Sequence, residues 1–374
     1  MSPGPHRIPV SIITGFLGAG KSTLLNRILK DPAMRDAAVI INEFGEVGID
    51  HMLVEASNDA LVELADGCLC CTVRGELVDT LAMLVDGMQT GKIKTISRVV
   101  IETTGLADPA PVMQSVMGHP VIASHFDLDG VVTLVDAVNG AHTLNTFPEA
   151  VRQVAVADRL ILTKASLAKK DELPRLMERL SALNPRATVT DGDSEEAGCA
   201  AVLENGLYDS GTKIADVDRW LQDEVAADHN HGHHHGHHGH HHHHDVNRHG
   251  ESIRSYSIIR DQLMDPMALE MFLDVLRATH GEKLLRMKAV VGLTDDPNRP
   301  VVLHGVQAVF HPPERLPAWP DPEDRRTRLV LITKDLSEAY VRELFDAFSG
   351  KPQIDRPDRT ALEDNPLAIP GMKL

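Results

Sequence analysis

Positive charge is in short supply: 37 Lys and Arg stand against 54 Asp and Glu, a net charge of −17 with histidine neutral. Surfaces that grip a nucleic-acid backbone carry an excess of cations, so nucleic acid is not the expected partner. Long apolar runs are missing as well. No stretch approaches the ~20 apolar residues that span a bilayer, and Met1 to Arg7 lack the basic start and apolar stretch of a signal peptide. A cytoplasmic location without a membrane partner is expected. Cysteine is scarce, with four in 374 residues, and three of the four crowd together at Cys68, Cys70 and Cys71. That spacing makes a poor disulfide framework, but it suits thiolate metal ligands in a reducing compartment. Cys199 stands alone and reads as passive. What is present is a 43% hydrophobic content over a length comfortable for two packed domains.

From Pro9 onward, short β-branched runs alternate with longer helical patterns, as in a mostly parallel sheet covered by helices. Strands are expected at Val10–Thr14, Ala38–Asn42, Arg98–Glu102, Val131–Asp136, Arg159–Thr163 and Ala187–Thr190. Leu77, Leu81, Leu84 and Met88 recur at helical spacing, and a further helix runs from Lys21 to about Leu29, stopping at Asp31-Pro32. The sharpest change of composition is at His229–His249, which holds 13 of the 21 histidines interleaved with glycine. Such a segment has little to bury and reads as a linker. Beyond it, strand-like Ser255–Ile259, Leu284–Leu293, Val301–Phe310 and Arg328–Thr333 mix with helix-like Met267–Thr279 and Ser337–Phe348. That rhythm predicts a smaller α+β domain with a mainly antiparallel sheet. The expected division is 1–225 for an α/β domain, 226–250 for the histidine-rich linker, 251–355 for the second domain and 356–374 for a tail.

Gly15-Phe16-Leu17-Gly18-Ala19-Gly20-Lys21-Ser22 matches GxxxxGK[ST] in full and lies between an apolar run and a helical one. This is the P-loop of nucleoside triphosphatases. Gly15, Gly18, Ala19 and Gly20 let the backbone fold around phosphates, and Thr23 continues into the helix whose N-terminus adds positive potential. Lys21 would reach the β and γ phosphates, and the Ser22 hydroxyl would ligate Mg²⁺. Val99-Val100-Ile101-Glu102-Thr103-Thr104-Gly105 supplies an acid at the end of a neighbouring strand. Glu102 is expected to act on Mg²⁺, and the Gly105 N–H to sense the γ-phosphate as the glycine of a switch loop does.

Gly67-Cys68-Leu69-Cys70-Cys71 offers at most three thiolates. In extended backbone Cys68 and Cys70 share a face, and Cys71 needs a local turn to join them. Thiolates favour Zn²⁺ or Cu(I) over hard ions. Buried free thiols are the alternative.

The P-loop, Asn42-Glu43-Phe44-Gly45-Glu46-Val47-Gly48-Ile49-Asp50, Gly67-Cys68-Leu69-Cys70-Cys71 and Glu102-Thr103-Thr104-Gly105, in that order, resemble the CobW-type GTPases. The resemblance continues through Lys283-Leu284-Leu285-Arg286 and Gly305-Val306-Gln307. It implies a GTP-dependent metallochaperone serving a client metalloprotein, with the three cysteines as a zinc site and Glu43 as an additional ligand. Related members serve zinc homeostasis, cobalt handling for cobalamin, or nitrile hydratase activation; a homodimer is left open.

One departure stands out. The family's guanine-reading motif is usually [NT]KxD, whose Asp accepts two hydrogen bonds from the base, but this strand ends Thr163-Lys164-Ala165-Ser166. Thr163 and Lys164 keep their place, whereas Ser166 cannot imitate a bidentate acceptor. Asp191 and Asp193 lie near the next strand end, where they could help at the base, although loop acids of this kind are usually just solvated.

The histidine tract consists of His229, His231, His233, His234, His235, His237, His238, His240, His241, His242, His243 and His244, with His249 beyond. Neutral imidazoles bind Zn²⁺, Ni²⁺, Co²⁺ and Cu²⁺, so the tract reads as a loosely selective metal reservoir or as a low-complexity spacer. His119, His125 and His304 read as structural. Two other classes of function share these features. A small-molecule kinase would leave the cysteines without a role, and a metal-buffering protein would use the histidines with nucleotide merely structural.

Overall fold

Val10 and Ile12 are buried in one apolar core and Ile13 in another, so the strand that carries them, β1 (Ile8–Gly15), has no solvent face. A strand buried on both sides belongs at the centre of a parallel sheet with helices on either face. The computed structural model shows this. It describes residues 7–41, 61–63, 73–204 and 253–350, with backbone alone at 61–63 and 73–76.

The first sheet is formed by β1, β2 (Ala37–Ile41), β3 (Leu61–Glu63), β4 (Arg98–Glu102), β5 (Phe126–Asp136), β6 (Arg159–Thr163) and β7 (Thr188–Asp191). Every pairing is parallel, in the order β3-β2-β4-β1-β5-β6-β7. After β1 the chain moves to one side of the sheet and returns, then continues on the other. The C-terminal end of β1 is thus a topological switch point, where open α/β sheets place ligands.

On one face lie α1 (Lys21–Ile28), through Leu24, Leu25 and Ile28, and a short segment with Ala197, Val202 and Leu203. On the other face, α2 (Val73–Gln89), α3 (Ala110–Gly118) and α4 (Pro120–His125) bury Leu77, Leu81, Met113, Val116 and Ile122. The helices α5 (Gly140–Thr146), α6 (Pro148–Ala155) and α7 (Glu172–Leu183) pack on β5 and β6. No helix among the described residues is long and apolar enough to cross a membrane.

The second sheet is antiparallel. It contains β8 (Ile253–Arg260), β9 (Leu284–Val291), β10 (Val301–Val306), β11 (Val309–Phe310), β12 (Glu314–Arg315) and β13 (Thr327–Lys334), with α8 (Pro266–His280) and α9 (Glu338–Phe348) against it. Met287, Ala289, Val291, Leu329 and Leu331 pack with Phe272 and Phe345 of those helices. Val306 and Ile332, alternate to Leu303 and Leu331, join the core of the first sheet instead, as does Leu285, which a register shift opposite Ile332 and Thr333 takes out of step with Met287. Period-two alternation thus gives one sheet two covered faces.

The sequence pattern predicts one strand over Val301–Phe310, but the structure has two, with Val306 pairing Val309 across a two-residue hairpin. Gln307 takes φ 52° there, and its N–H reaches Leu284 O at 2.7 Å. Such tight hairpins require positive φ, which a periodicity count does not register.

Polar contacts tie the two sheets together. The Asp158 carboxylate is buried and meets Arg286 at 2.7 Å and Lys288 at 2.5 Å. Burial pushes the Asp158 carboxyl up, but the two cations outweigh it and hold it at about 2. Arg286 also donates to Val156 O, and Gln114 donates to Gln307 Oε1 at 2.6 Å. At the other end Arg7, just before β1, bonds Asp127 at 2.9 Å and Glu314 at 2.6 Å.

Candidate nucleotide-binding site

Between β1 and α1 the chain turns through Gly18 at φ 72° and Gly20 at φ 93°, conformations open to glycine. Gly20 caps α1 without a side-chain hydrogen bond, and the first turn holds no acid. An uncapped helix N-terminus facing a glycine loop is built for an anion. Lys21 is buried and arches back over the loop, with Nζ 3.1 Å from Gly15 O. Thr23 follows it, exposed.

Parallel pairing of β1 with β4 sets Ile13 beside Glu102 and carries that carboxylate to the mouth of the loop. Ser22 Oγ donates to Glu102 Oε1 at 3.2 Å. A hydroxyl and a carboxylate oxygen converging beside a phosphate cradle form a hard donor set that fits Mg²⁺. Thr103 secures the strand end, donating its hydroxyl to Thr14 Oγ1 at 2.7 Å and its N–H to Ile13 O at 3.0 Å.

Gly105 lies directly against the P-loop. A Cβ placed there would sit 2.6 Å from Leu17 N and 2.8 Å from Leu17 Cα, so only hydrogen leaves room. Gln153 of α6, fully buried, holds this loop from behind by donating to Ala107 O at 2.9 Å and Gly105 O at 3.3 Å. No sequence motif marks Gln153. Its signal was available, since it is a polar residue on the buried face of a helix that also buries Ala150 and Val154.

At the end of β6, Thr163 Oγ1 donates to Ala19 O at 2.8 Å. Lys164, at φ 57°, spans the loop with Nζ 2.8 Å from both Gly18 O and Asp136 Oδ2. Asp136 ends β5 and is a second functional residue that no motif marks. Burial raises its pKa, but hydrogen bonds from Lys164, from the Asn139 side chain and from the Val138 and Asn139 N–H groups lower it further, so it stays ionised. Ser166 Oγ meets Asp193 Oδ2 at 3.3 Å.

Residues from four strand ends therefore meet at one edge: Gly15, Gly18, Ala19, Gly20, Lys21 and Ser22, with Glu102 and Gly105, Asp136, and Thr163 and Lys164. Glu43, Cys68, Cys70, Cys71, the Asn42–Asp50 segment and the tract His229–His249 lie outside the described residues. Among the described residues, Asp127, His311 and Glu314 bring three potential ligand atoms together. The Arg7 guanidinium already bonds both carboxylates there, which marks an ion-pair cluster between the sheets rather than an open cation site. His304 is buried, and burial first, with Lys288 and Arg286, holds its pKa well below the usual imidazole value. Cys199 is exposed and unbridged.

Comparison with known proteins agrees with this geometry. Residues 9–191 match the CobW/HypB/UreG nucleotide-binding domain, and residues 253–349 match the cobalamin synthesis protein cobW C-terminal domain. The chain is 34% identical over 341 residues to the zinc chaperone YjiA of Escherichia coli, covering 90% of this chain and 98% of that protein. It is 29% identical over 380 residues to the zinc chaperone CobW of a Sinorhizobium species, covering 91% and 97%. The crystal structure of Zn(II)-bound YjiA GTPase from E. coli superposes with a TM-score of 0.61 at 27% identity, covering 92% of this chain and 99% of that one. With both domain matches in order and a relative aligned over nearly its whole length, the chain belongs to the CobW/HypB/UreG family of nucleotide-binding proteins, in its cobW branch.

Proposed function

We propose that this protein is a GTP-dependent metallochaperone that carries zinc to a client metalloprotein and is reset by hydrolysis of the nucleotide. The observation that carries the proposal is the convergence of Ser22 and Glu102 at 3.2 Å beside the uncapped N-terminus of α1, in a chain of which 90% and 91% align with relatives named zinc chaperones. Lys21, Ser22 and the loop N–H groups would hold the triphosphate, while Ser22 and Glu102 would hold Mg²⁺. Bound there, the ion neutralises charge that develops on the phosphates. Lys164 and Thr163 would brace the loop from the side of the base.

Zinc is the cargo, with Co²⁺ or Ni²⁺ as alternatives. Cys68, Cys70, Cys71 and Glu43 are the proposed ligands. The described chain supports coupling between cargo and nucleotide through its connectivity. The parallel strands β2 and β3 end on the edge that carries the P-loop, and the residues following them in sequence include Glu43 and the three cysteines. The ordering of Asn42–Asp50 by Mg²⁺-GTP would then alter the zinc ligand set, and hydrolysis would release metal or client. No catalytic glutamine or arginine finger is assigned, so intrinsic turnover is expected to be slow.

The test is phosphate release from Mg²⁺-GTP with no acceptor added, by wild type and by Ser22→Ala. Slow release that the variant abolishes supports the proposal. GDP formation that requires an added acceptor, with the phosphoryl group transferred to it and none released, overturns the proposal in favour of a kinase.

A further inference from the structure

Ser166 leaves the base end of the site one carboxylate short, and the structure brings that carboxylate from a neighbouring loop. The strands β6 and β7 run parallel, with Leu162 beside Asp191. Immediately after, the chain turns back on β6, and Gly192 N–H donates to Leu162 O at 2.8 Å. A Cβ on Gly192 would lie 3.0 Å from Leu162 O and 3.2 Å from Thr163 Cα, so the turn rests on the strand end that braces the P-loop. From the opposite side Arg27, on the P-loop helix, donates to the carbonyls of Gly192 and Ser194, the latter at 2.6 Å. The turn is thus pinned between α1 and β6, and its position relative to the nucleotide loop is fixed.

The two acids of this turn have different roles. Asp191 is used internally, with Oδ1 accepting the Asp193 N–H at 3.0 Å and its carbonyl accepting the Ser194 hydroxyl at 2.6 Å. Asp193 is exposed and turned toward the base end of the site, where Oδ2 accepts from Ser166 Oγ at 3.3 Å. Ser166 stands two residues beyond Lys164, whose ammonium reaches Gly18 O. A carboxylate therefore stands against the position that the sequence assigns to serine, anchored by that serine's hydroxyl.

We propose that Asp193 is the residue that selects guanine, accepting hydrogen bonds from N1–H and the 2-amino group, with Ser166 as the residue that positions it. This inference rests on the nucleotide-binding proposal above. The Watson–Crick edge of guanine presents two adjacent donors that match one carboxylate. Adenine presents an acceptor at N1, and xanthine replaces the 2-amino donor by a carbonyl. An amide in place of the carboxylate offers one donor and one acceptor, which matches xanthine.

The experiment is equilibrium titration of the full chain with the Mg²⁺ complexes of GDP, XDP and ADP, for wild type and Asp193→Asn. Wild type is expected to bind GDP at least about tenfold more tightly than ADP or XDP, and the variant to lose about 10- to 100-fold in GDP affinity. XDP should bind the variant more tightly than wild type, and ADP affinity should be unchanged, which reports an intact cradle. A variant that keeps GDP within twofold, or loses GDP and ADP equally, overturns the assignment. So does a wild type that cannot tell GDP from ADP, which leaves the phosphate site standing. A wild type that binds none of the three overturns the nucleotide-binding proposal as well.

Discussion

Replacement of Gly105 by alanine tests how closely the loop after β4 is coupled to the phosphate cradle. The added Cβ would lie 2.6 Å from Leu17 N and 2.8 Å from Leu17 Cα, both backbone atoms of the P-loop. To restore an ordinary contact, the two loops must separate by roughly 0.8 Å, because interiors this dense accommodate a new methyl only by displacement. Retreat on the Gly105 side is opposed by Gln153, which bonds the carbonyls of Gly105 and Ala107. The displacement therefore falls largely on the P-loop, whose N–H groups must sit correctly to receive phosphate. Overpacking of this kind costs about 1–3 kcal/mol, or roughly 5- to 150-fold in affinity. Titration of Gly105→Ala with Mg²⁺-GTP and Mg²⁺-GDP should show losses in that range for both, since Leu17 lies in a loop common to the two complexes. Adding Leu17→Ala should not rescue binding, because the clash with N and Cα remains. Affinities within twofold of wild type, or rescue by Leu17→Ala, would refute the reasoning.

Asp158→Asn should destabilise the protein by about 3–5 kcal/mol near neutral pH, because it leaves the buried Arg286 and the half-buried Lys288 without their counter-charge. The folded carboxyl is held at about 2, below its unfolded value of 3.8. Its contribution of about 2–3 kcal/mol is therefore complete above pH 4 and is lost as pH falls toward 2. Urea melts should show the gap between variant and wild type narrowing below pH 4, and a gap that stays constant would show that the charge is not the cause. Deletion of His229–His249 should lower the number of zinc ions bound at pH 7.5 while leaving the GTPase rate unchanged. At pH 5.5, below the imidazole pKa of ~6.5, wild type and deletion should bind equal numbers, and a rate that fell with the deletion would give the tract a direct part in turnover.

Local signals in the sequence account for much of this architecture. The β-branched runs at Arg98–Glu102 and Arg159–Thr163 coincide with β4 and β6, because a strand buried on both faces leaves a continuous apolar signature. Features that depend on contacts distant in the chain were not legible. Arg286 lies within a recognisable run, yet its partner Asp158 is 128 residues away, and nothing local announces the pair. The Val306–Val309 hairpin carries neither Asn-Gly nor Asp-Gly, so the turn chemistry gave no warning. At the candidate site, the glycine loop and Glu102 are visible because their spacing is fixed by one strand-to-helix turn and one strand end. Gln153, Asp136 and the Ser166–Asp193 contact come from other elements, brought in by the sheet order rather than by the chain.

In the proposed cycle, nucleotide state and metal binding are coupled. Competition titration with a zinc chelator, on wild type and on Cys70→Ser, in the absence of nucleotide and with Mg²⁺-GTP or Mg²⁺-GDP, measures this most directly. Wild type is expected to hold a tight zinc site that Cys70→Ser loses, with an affinity that differs by at least about fivefold between the GTP and GDP states, the lower end of ordinary coupling energies. A tight site whose affinity is the same with either nucleotide and with none would contradict the coupling.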